Sequence, residues 1–187
     1  EDNYSSGISD SVKSSTGPLL AYHISRIENP KGVIIFVNGR GETQLKYKEL
    51  IFDLNRSGYT VITYDHIGQG QSGGKIDRRT DFGIEHPGFV GSFNHYVDDL
   101  KTVVDNFAVP EAGIGGSALS TQTSNGPTRV PIYLMAHSMG GLVATVYLLK
   151  NNMAPISKAA LITPLFGIHV PLFDGIQIPN WVMTIKK

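Results

Sequence analysis

The residues best suited to do chemistry lie in "AHSMGG", Ala136 to Gly141. One serine, Ser138, stands between a short apolar run of strand type, "PIYLMA", and a segment that carries Gly141, Ala144 and Leu148 at helical spacing. A strand, a tight turn bearing Ser and then a helix is the setting of the nucleophile elbow. Its pattern is Gly-x-Ser-x-Gly, and Ala136 takes the place of the first Gly. The turn is so sharp that bulky residues two before and two after the serine would collide, a steric demand that Ala136 and Gly140 meet. The Ser138 hydroxyl would then stand at the positive end of the following helix, exposed for attack on an acyl carbon. A Ser-Gly turn that only caps a helix would use the same residue types, so the elbow reading needs a site around it.

Attack by a hydroxyl on an ester makes a tetrahedral oxyanion that fixed donors must meet. Met139 N–H, just after the serine, would be one, and the second comes from a loop after an earlier strand. "FVNGRGET" stands in that place, which makes Arg40 N–H, between Gly39 and Gly41, the candidate; read alone, "NGRG" is also an ordinary strand-to-helix turn. A third stretch, "YDHIGQGQSGG", follows a strand-like run, and its Gly68, Gly70 and Ser72 would make a tight loop walling the pocket beside the elbow. It does not continue as Gly-x-Gly-x-x-Gly opening a helix, so a dinucleotide cofactor is not expected. His66 and His137 flank these motifs and read as hydrogen-bonded supports of their loops, because neither follows the serine in the order serine, acid, histidine. No His-x-x-x-His or ligand-spaced carboxylate cluster suggests a metal site.

The elements that must position these residues alternate along the chain. Apolar runs recur in "PLLAYHISRI", "KGVIIFVNG", "YTVITYDH", "VPIYLMAH" and "ISKAALITP", with helical patterns in "LKYKELIFDLNRSG" and "FNHYVDDLKTVVDNFA" between some of them. Strand and helix in alternation predict an α/β fold with a mostly parallel sheet and crossover helices. Residues 1–16 read as a flexible polar lead, 17–165 as the core, and "PEAGIGGSALSTQTSNGPTRVP" as a long surface loop. The 187 residues with 41% hydrophobic content suit one domain. Basic and acidic residues balance at 16 each, which argues against a nucleic-acid partner. With no Cys there is neither a disulfide framework nor a thiol nucleophile, and no run approaches the ~20 apolar residues that cross a bilayer.

"NGRGE", "YDHIGQGQSGG", "FNHYVDDL", "AHSMGG" and "ITPLFGI", in this order, resemble the α/β-hydrolase superfamily and, within it, the monoacylglycerol lipase and bacterial lysophospholipase branch. The resemblance is greatest to the bacterial inner-membrane lysophospholipases and spans about Gly17 to Ile168. It implies Ser138 as nucleophile, Met139 and Arg40 as oxyanion-hole amides, and Gly39, Gly41, Ala136, His137 and Gly140 as supports of the elbow and pocket. The implied reaction is hydrolysis of the acyl ester of a lysophospholipid or monoacylglycerol through an acyl-enzyme, without metal or organic cofactor. Asn38 stands where this branch usually has His; a backbone donor makes that side chain matter less than the Gly after it.

In this fold the triad Asp and His follow the serine, yet after Ser138 come only His169 and Asp174, in the wrong order. The expectation is therefore an N-terminal part of a hydrolase, with residues 166–187 opening a lid and the triad Asp and His supplied by a C-terminal remainder. The apolar tail with Trp181 reads equally as a lid that makes peripheral contact with a membrane and as a buried connection. Lys46, Lys48, Arg78 and Arg79 read as a solvated charged surface before a lipid-phosphate site. A rival class is a non-catalytic binding protein of the same fold, which reactivity of Ser138 would separate.

Overall fold

The structure, a computed structural model, describes residues 7–15, 17–73, 90–112 and 129–167. Six strands make one sheet: β1 (Ile8–Lys13), β2 (Leu19–Ser25), β3 (Gly32–Val37), β4 (Tyr59–Tyr64), β5 (Ile132–His137) and β6 (Ile156–Ile162). Their order across the sheet is β1-β2-β4-β3-β5-β6. The β4–β3, β3–β5 and β5–β6 pairs are parallel, and β1–β2 and β2–β4 are antiparallel. The alternation of strand and helix predicted this mostly parallel sheet. A 3-10 turn, Gln44–Tyr47, leads into α1 (Lys48–Arg56). Next come α2 (Phe93–Val103), continued by a π turn over Val104–Ala108, the short α3 (Val109–Glu111), and α4 (Met139–Lys150).

β3 is buried along its whole length because helices cover both faces of a parallel sheet. Strand alternation divides its side chains. Val33, Ile35 and Val37 join a core with Val97, Leu100 and Val103 of α2 and Val143, Ala144 and Tyr147 of α4. On the other face Phe36 meets Tyr47, with ring centroids 4.2 Å apart. Helix limits follow local chemistry: Ser92 Oγ accepts Asn94 N–H at 3.2 Å to start α2, and Gly58, at φ 97°, follows the end of α1.

The polar lead requires correction. Ile8–Lys13 is not a flexible lead but the edge strand β1, in register with β2 from Ile8↔Ile24 to Lys13↔Leu19. Its sequence, "ISDSVK", is mostly exposed, so it has no continuous apolar run; backbone pairing holds it. Among the described residues the sheet thus has one strand more than the five apolar runs indicate. At the opposite edge, six of the seven residues of β6 are exposed among the described residues, and only Ile156 is buried. The Pro110–Pro131 loop and the 166–187 segment lie largely outside the described residues, as do Arg78 and Arg79.

A buried carboxyl fastens the end of the lead. Ser14 Oγ donates to Asp99 Oδ1 of α2, and Asp99 has no exposed surface. Burial pushes its pKa up from 3.8 to about 6, against the hydrogen bonds from Ser14 and Ile67 N–H; nearby Asp98 adds to the rise. The folded state therefore holds the proton more tightly than the unfolded chain. This contribution to stability is complete below about pH 4 and is lost as pH rises through about 6. Asp99→Asn is expected to raise stability at about pH 7.5 by roughly 1–3 kcal/mol and to flatten the pH dependence between those limits. Urea titrations across that range check it; an unchanged pH dependence would count against a buried, proton-binding Asp99.

Candidate active site

β5 runs out at His137, and Ser138 turns the chain into α4 with φ 52° and ψ −121°. Positive φ is rare for residues with a Cβ and costs on the order of 1–3 kcal/mol, so the surrounding structure must enforce it. It does so through three backbone bonds: Ser138 N–H donates to Ile162 O at 3.1 Å, while Ser138 O accepts Gly141 N–H and Leu165 N–H, each at 2.9 Å. Ala136 is fully buried beneath the turn. Gly140 lies so close to the end of β3 that a Cβ there would meet Val37 O at 2.3 Å and Asn38 O at 2.4 Å. Gly141 faces Pro164, which a Cβ would approach to 2.7 Å.

The loop after β3 comes to the same place. A Cβ on Gly39 would stand 3.1 Å from Ser138 Cβ, so the backbone of this loop lies directly against the serine. Gly39 N–H donates to Glu42 Oε2 at 2.7 Å and Gly41 N–H to Gln69 Oε1. Between them, Arg40 N–H has no acceptor among the described residues. Met139 N–H opens α4, where first-turn amides lack intrahelical acceptors. Arg40 is exposed, and Gly41 takes φ 73°. The structure thus gathers Ser138, Met139, Gly39, Arg40, Gly41, Ala136, His137 and Gly140 at one end of the parallel strands. His169 and Asp174 lie outside the described residues.

Asn38 is buried and turned into the sheet end, its Nδ2 donating to Tyr64 O at 2.9 Å. His66 Nε2 donates to Asn38 O at 2.8 Å, and burial drives the His66 pKa down to about 4 although that bond favours the charged form. His66 is thus a neutral support beneath the loop. The "DHIGQGQSG" loop is wrapped around Asp65. Its Oδ1 accepts Gln44 N–H at 2.7 Å and its Oδ2 accepts Gln71 N–H at 2.9 Å. Gly70, at φ 52°, is needed there because a Cβ would come within 2.2 Å of Asp65 Oδ2.

Sequence reasoning missed Glu42, Tyr47, Asp65 and Gln69 as parts of this site. Glu42 Oε2 accepts Gly39 N–H, Tyr47 OH at 2.5 Å and His137 Nδ1 at 3.0 Å, while Lys46 Nζ donates to Oε1. Burial alone would raise the Glu42 pKa, but those four donors pull it down to about 2. Lys46 is therefore paired. The one signal in the sequence was the position of Glu42, directly after the two glycines of "NGRG".

Among the described residues no group of three or more His, Cys, Asp or Glu is arranged to hold a metal, and no helix is long and apolar enough to cross a membrane. The family model described as "Serine aminopeptidase, S33", Hydrolase_4, matches residues 28–187. The chain belongs to this α/β-hydrolase family. The chain is similar to lysophospholipase L2 of Escherichia coli strain K12, at 35% identity over 158 residues; the match covers 83% of this chain and 40% of that protein. It is also similar to monoglyceride lipase of Mus musculus, at 28% identity over 136 residues, which are 73% of this chain and 36% of that protein. A soluble variant of monoglyceride lipase from Saccharomyces cerevisiae, solved with a substrate analogue, shares the fold at TM-score 0.66 and 21% identity, over 87% of this chain and 46% of that chain. The chain therefore spans less than half the length of each of these relatives.

Proposed function

We propose that Ser138 is the nucleophile of a serine carboxylic-ester hydrolase that cleaves the acyl ester of lysophospholipids. In this reading the chain works with a C-terminal remainder of the protein, which supplies the triad Asp and His and completes the lid. Ser138 Oγ attacks the acyl carbon as the His takes its proton, and a tetrahedral oxyanion forms. Collapse breaks the ester C–O bond; the His returns the proton to the departing glycerol oxygen, and the acyl group stays on Ser138. Water, deprotonated by the same His, then attacks the acyl-enzyme, releasing the fatty acid and restoring the hydroxyl.

Arg40 N–H and Met139 N–H are the donors to the oxyanion in this mechanism. Their support is their place: Arg40 N–H has no acceptor among the described residues, Met139 N–H opens α4, and the loop and the helix start meet at Ser138. Gly39, Gly41, Ala136, His137 and Gly140 shape the elbow and the pocket beside it. Neither chemical step requires a metal or an organic cofactor. The observation that carries the proposal is the backbone of Ser138, held at positive φ between a strand and a helix with an oxyanion-type loop pressed against it. A lysophospholipid is preferred over a monoacylglycerol because the lysophospholipase relative is 35% identical and the monoglyceride lipase relative 28%. An amphiphilic substrate of this kind brings the protein to a lipid surface as a peripheral partner.

The test is a fluorophosphonate probe applied to protein that includes the remainder, with the adduct mapped by mass spectrometry. Label on Ser138, with faster fatty-acid release from lysophosphatidylcholine than from monoacylglycerol, is the expected result. Label on Ser138 with the opposite preference would transfer the proposal to monoacylglycerol, and no label would favour a non-catalytic binding protein.

A further inference from the structure

We infer that Glu42 is a positioning residue that clamps the Gly39–Gly41 loop to the serine turn, so that Arg40 N–H faces the oxygen charged by Ser138 attack. The inference rests on the reading of Ser138 as nucleophile. Its first ground is the flexibility of the loop. Arg40 lies between two glycines, and a peptide bounded by glycine flips at low cost, which would turn the Arg40 amide away from the serine. Two side chains oppose such a flip: Gln69 Oε1 takes Gly41 N–H and Glu42 Oε2 takes Gly39 N–H at 2.7 Å.

The second ground is the reach of Glu42. The same oxygen that holds Gly39 accepts Tyr47 OH at 2.5 Å and His137 Nδ1 at 3.0 Å. Tyr47 belongs to the turn before α1, and His137 is the residue immediately before Ser138. One carboxylate therefore joins the loop to the serine strand and to the base of α1. An ionised carboxylate only accepts, so Tyr47 OH and His137 Nδ1 act as donors in their bonds to it, and Tyr47 OH also lies 3.1 Å from His137 Nδ1. Charge-assisted bonds of this kind are roughly twice as strong as neutral ones. Lys46 on Oε1 offsets the negative charge that would otherwise oppose a nearby oxyanion.

The experiment compares Glu42→Gln with wild type in protein that includes the remainder. It uses p-nitrophenyl butyrate as substrate, an alkyl boronic acid that adds to the serine as a tetrahedral anion, and an unreactive ether lysolipid. Glu42→Gln is expected to lower kcat about 10- to 100-fold with KM within about threefold, and to weaken the boronic acid by a similar factor. Binding of the ether lysolipid should stay unchanged. Tyr47→Phe, which removes one bond of the clamp and leaves the Gly39 bond in place, should lower kcat and boronic-acid affinity together, and by less than Glu42→Gln. If Glu42→Gln does not fold, Glu42→Asp, which keeps the charge but withdraws the oxygen, is expected to show the same selective loss. A folded Glu42 variant with wild-type kcat and boronic-acid affinity overturns the inference. So does equal weakening of both ligands, or failure of both variants to fold, since either marks a structural group. Full activity in Ser138→Ala would instead overturn the reading of the nucleophile and leave the clamp geometry as it stands.

Discussion

Ser138→Ala, in protein that includes the C-terminal remainder, is expected to lower kcat on lysophosphatidylcholine by at least about 10⁴-fold. KM should change little, because in the proposed reaction the acyl chain and head group would bind through surfaces that the hydroxyl does not form. The loss is large because every covalent step of the proposed mechanism runs through that oxygen, and water in its place would lack both the fixed geometry and the acyl-enzyme route. Some rate above the uncatalysed reaction should remain, since the amides of Arg40 and Met139, as the proposed oxyanion donors, would still be in place. The fold should survive: Ala keeps the Cβ, and the three bonds that hold residue 138 at φ 52° are all made by its backbone. The decisive comparison is turnover against circular dichroism and melting temperature for the same preparation. A folded variant with more than about a tenth of wild-type turnover would remove Ser138 from the chemistry.

The largest stability effect is expected at Gly140. A methyl group there would lie 2.3 Å from Val37 O and 2.4 Å from Asn38 O, both backbone atoms of the central strand and its loop. Neither side can yield as a flexible side-chain end would, so α4 must move away from β3. Gly140→Ala should therefore destabilise by about 3 kcal/mol or more, although alanine is the better helix former by about 1 kcal/mol. Gly167→Ala is the matched control, since a Cβ at Gly167 meets nothing within 4 Å. The two variants separate in urea unfolding midpoints; equal midpoints would mean that α4 does not lie as close to β3 as the structure has it. The small shift of α4 also moves Met139 N–H relative to Arg40, so turnover of any folded Gly140→Ala should fall as well.

Much of this arrangement is legible in the residues, and the illegible parts share a cause. β3 and β4 announce themselves as β-branched runs because parallel strands are buried on both faces. The serine turn is legible because a sharp strand-to-helix corner restricts residue size on both sides of Ser138. β1 escapes notice because "ISDSVK" lies at an exposed edge and is held by main-chain pairing, which leaves no apolar pattern. Glu42 and Gln69 escape for a related reason. A side chain that binds a loop amide is chosen by the path of the loop, and neither helical nor strand periodicity marks it. His66 is a middle case: its role as loop support could be reasoned from position, while its bond to Asn38 O needed three dimensions.

The edge that β6 forms among the described residues also governs how the 187-residue chain behaves as a solute. A row of main-chain donors and acceptors beside Leu161, 37% exposed, and Ile162, 42% exposed, is a template on which another molecule can add a strand. Lys158, in the middle of that edge, is the counterweight: two such edges meeting would bring like charges together. Added salt screens that repulsion and leaves the apolar contact intact. Clouding and loss of monomer should therefore worsen with ionic strength as well as with concentration, and a second Lys in place of Ala160 should delay both.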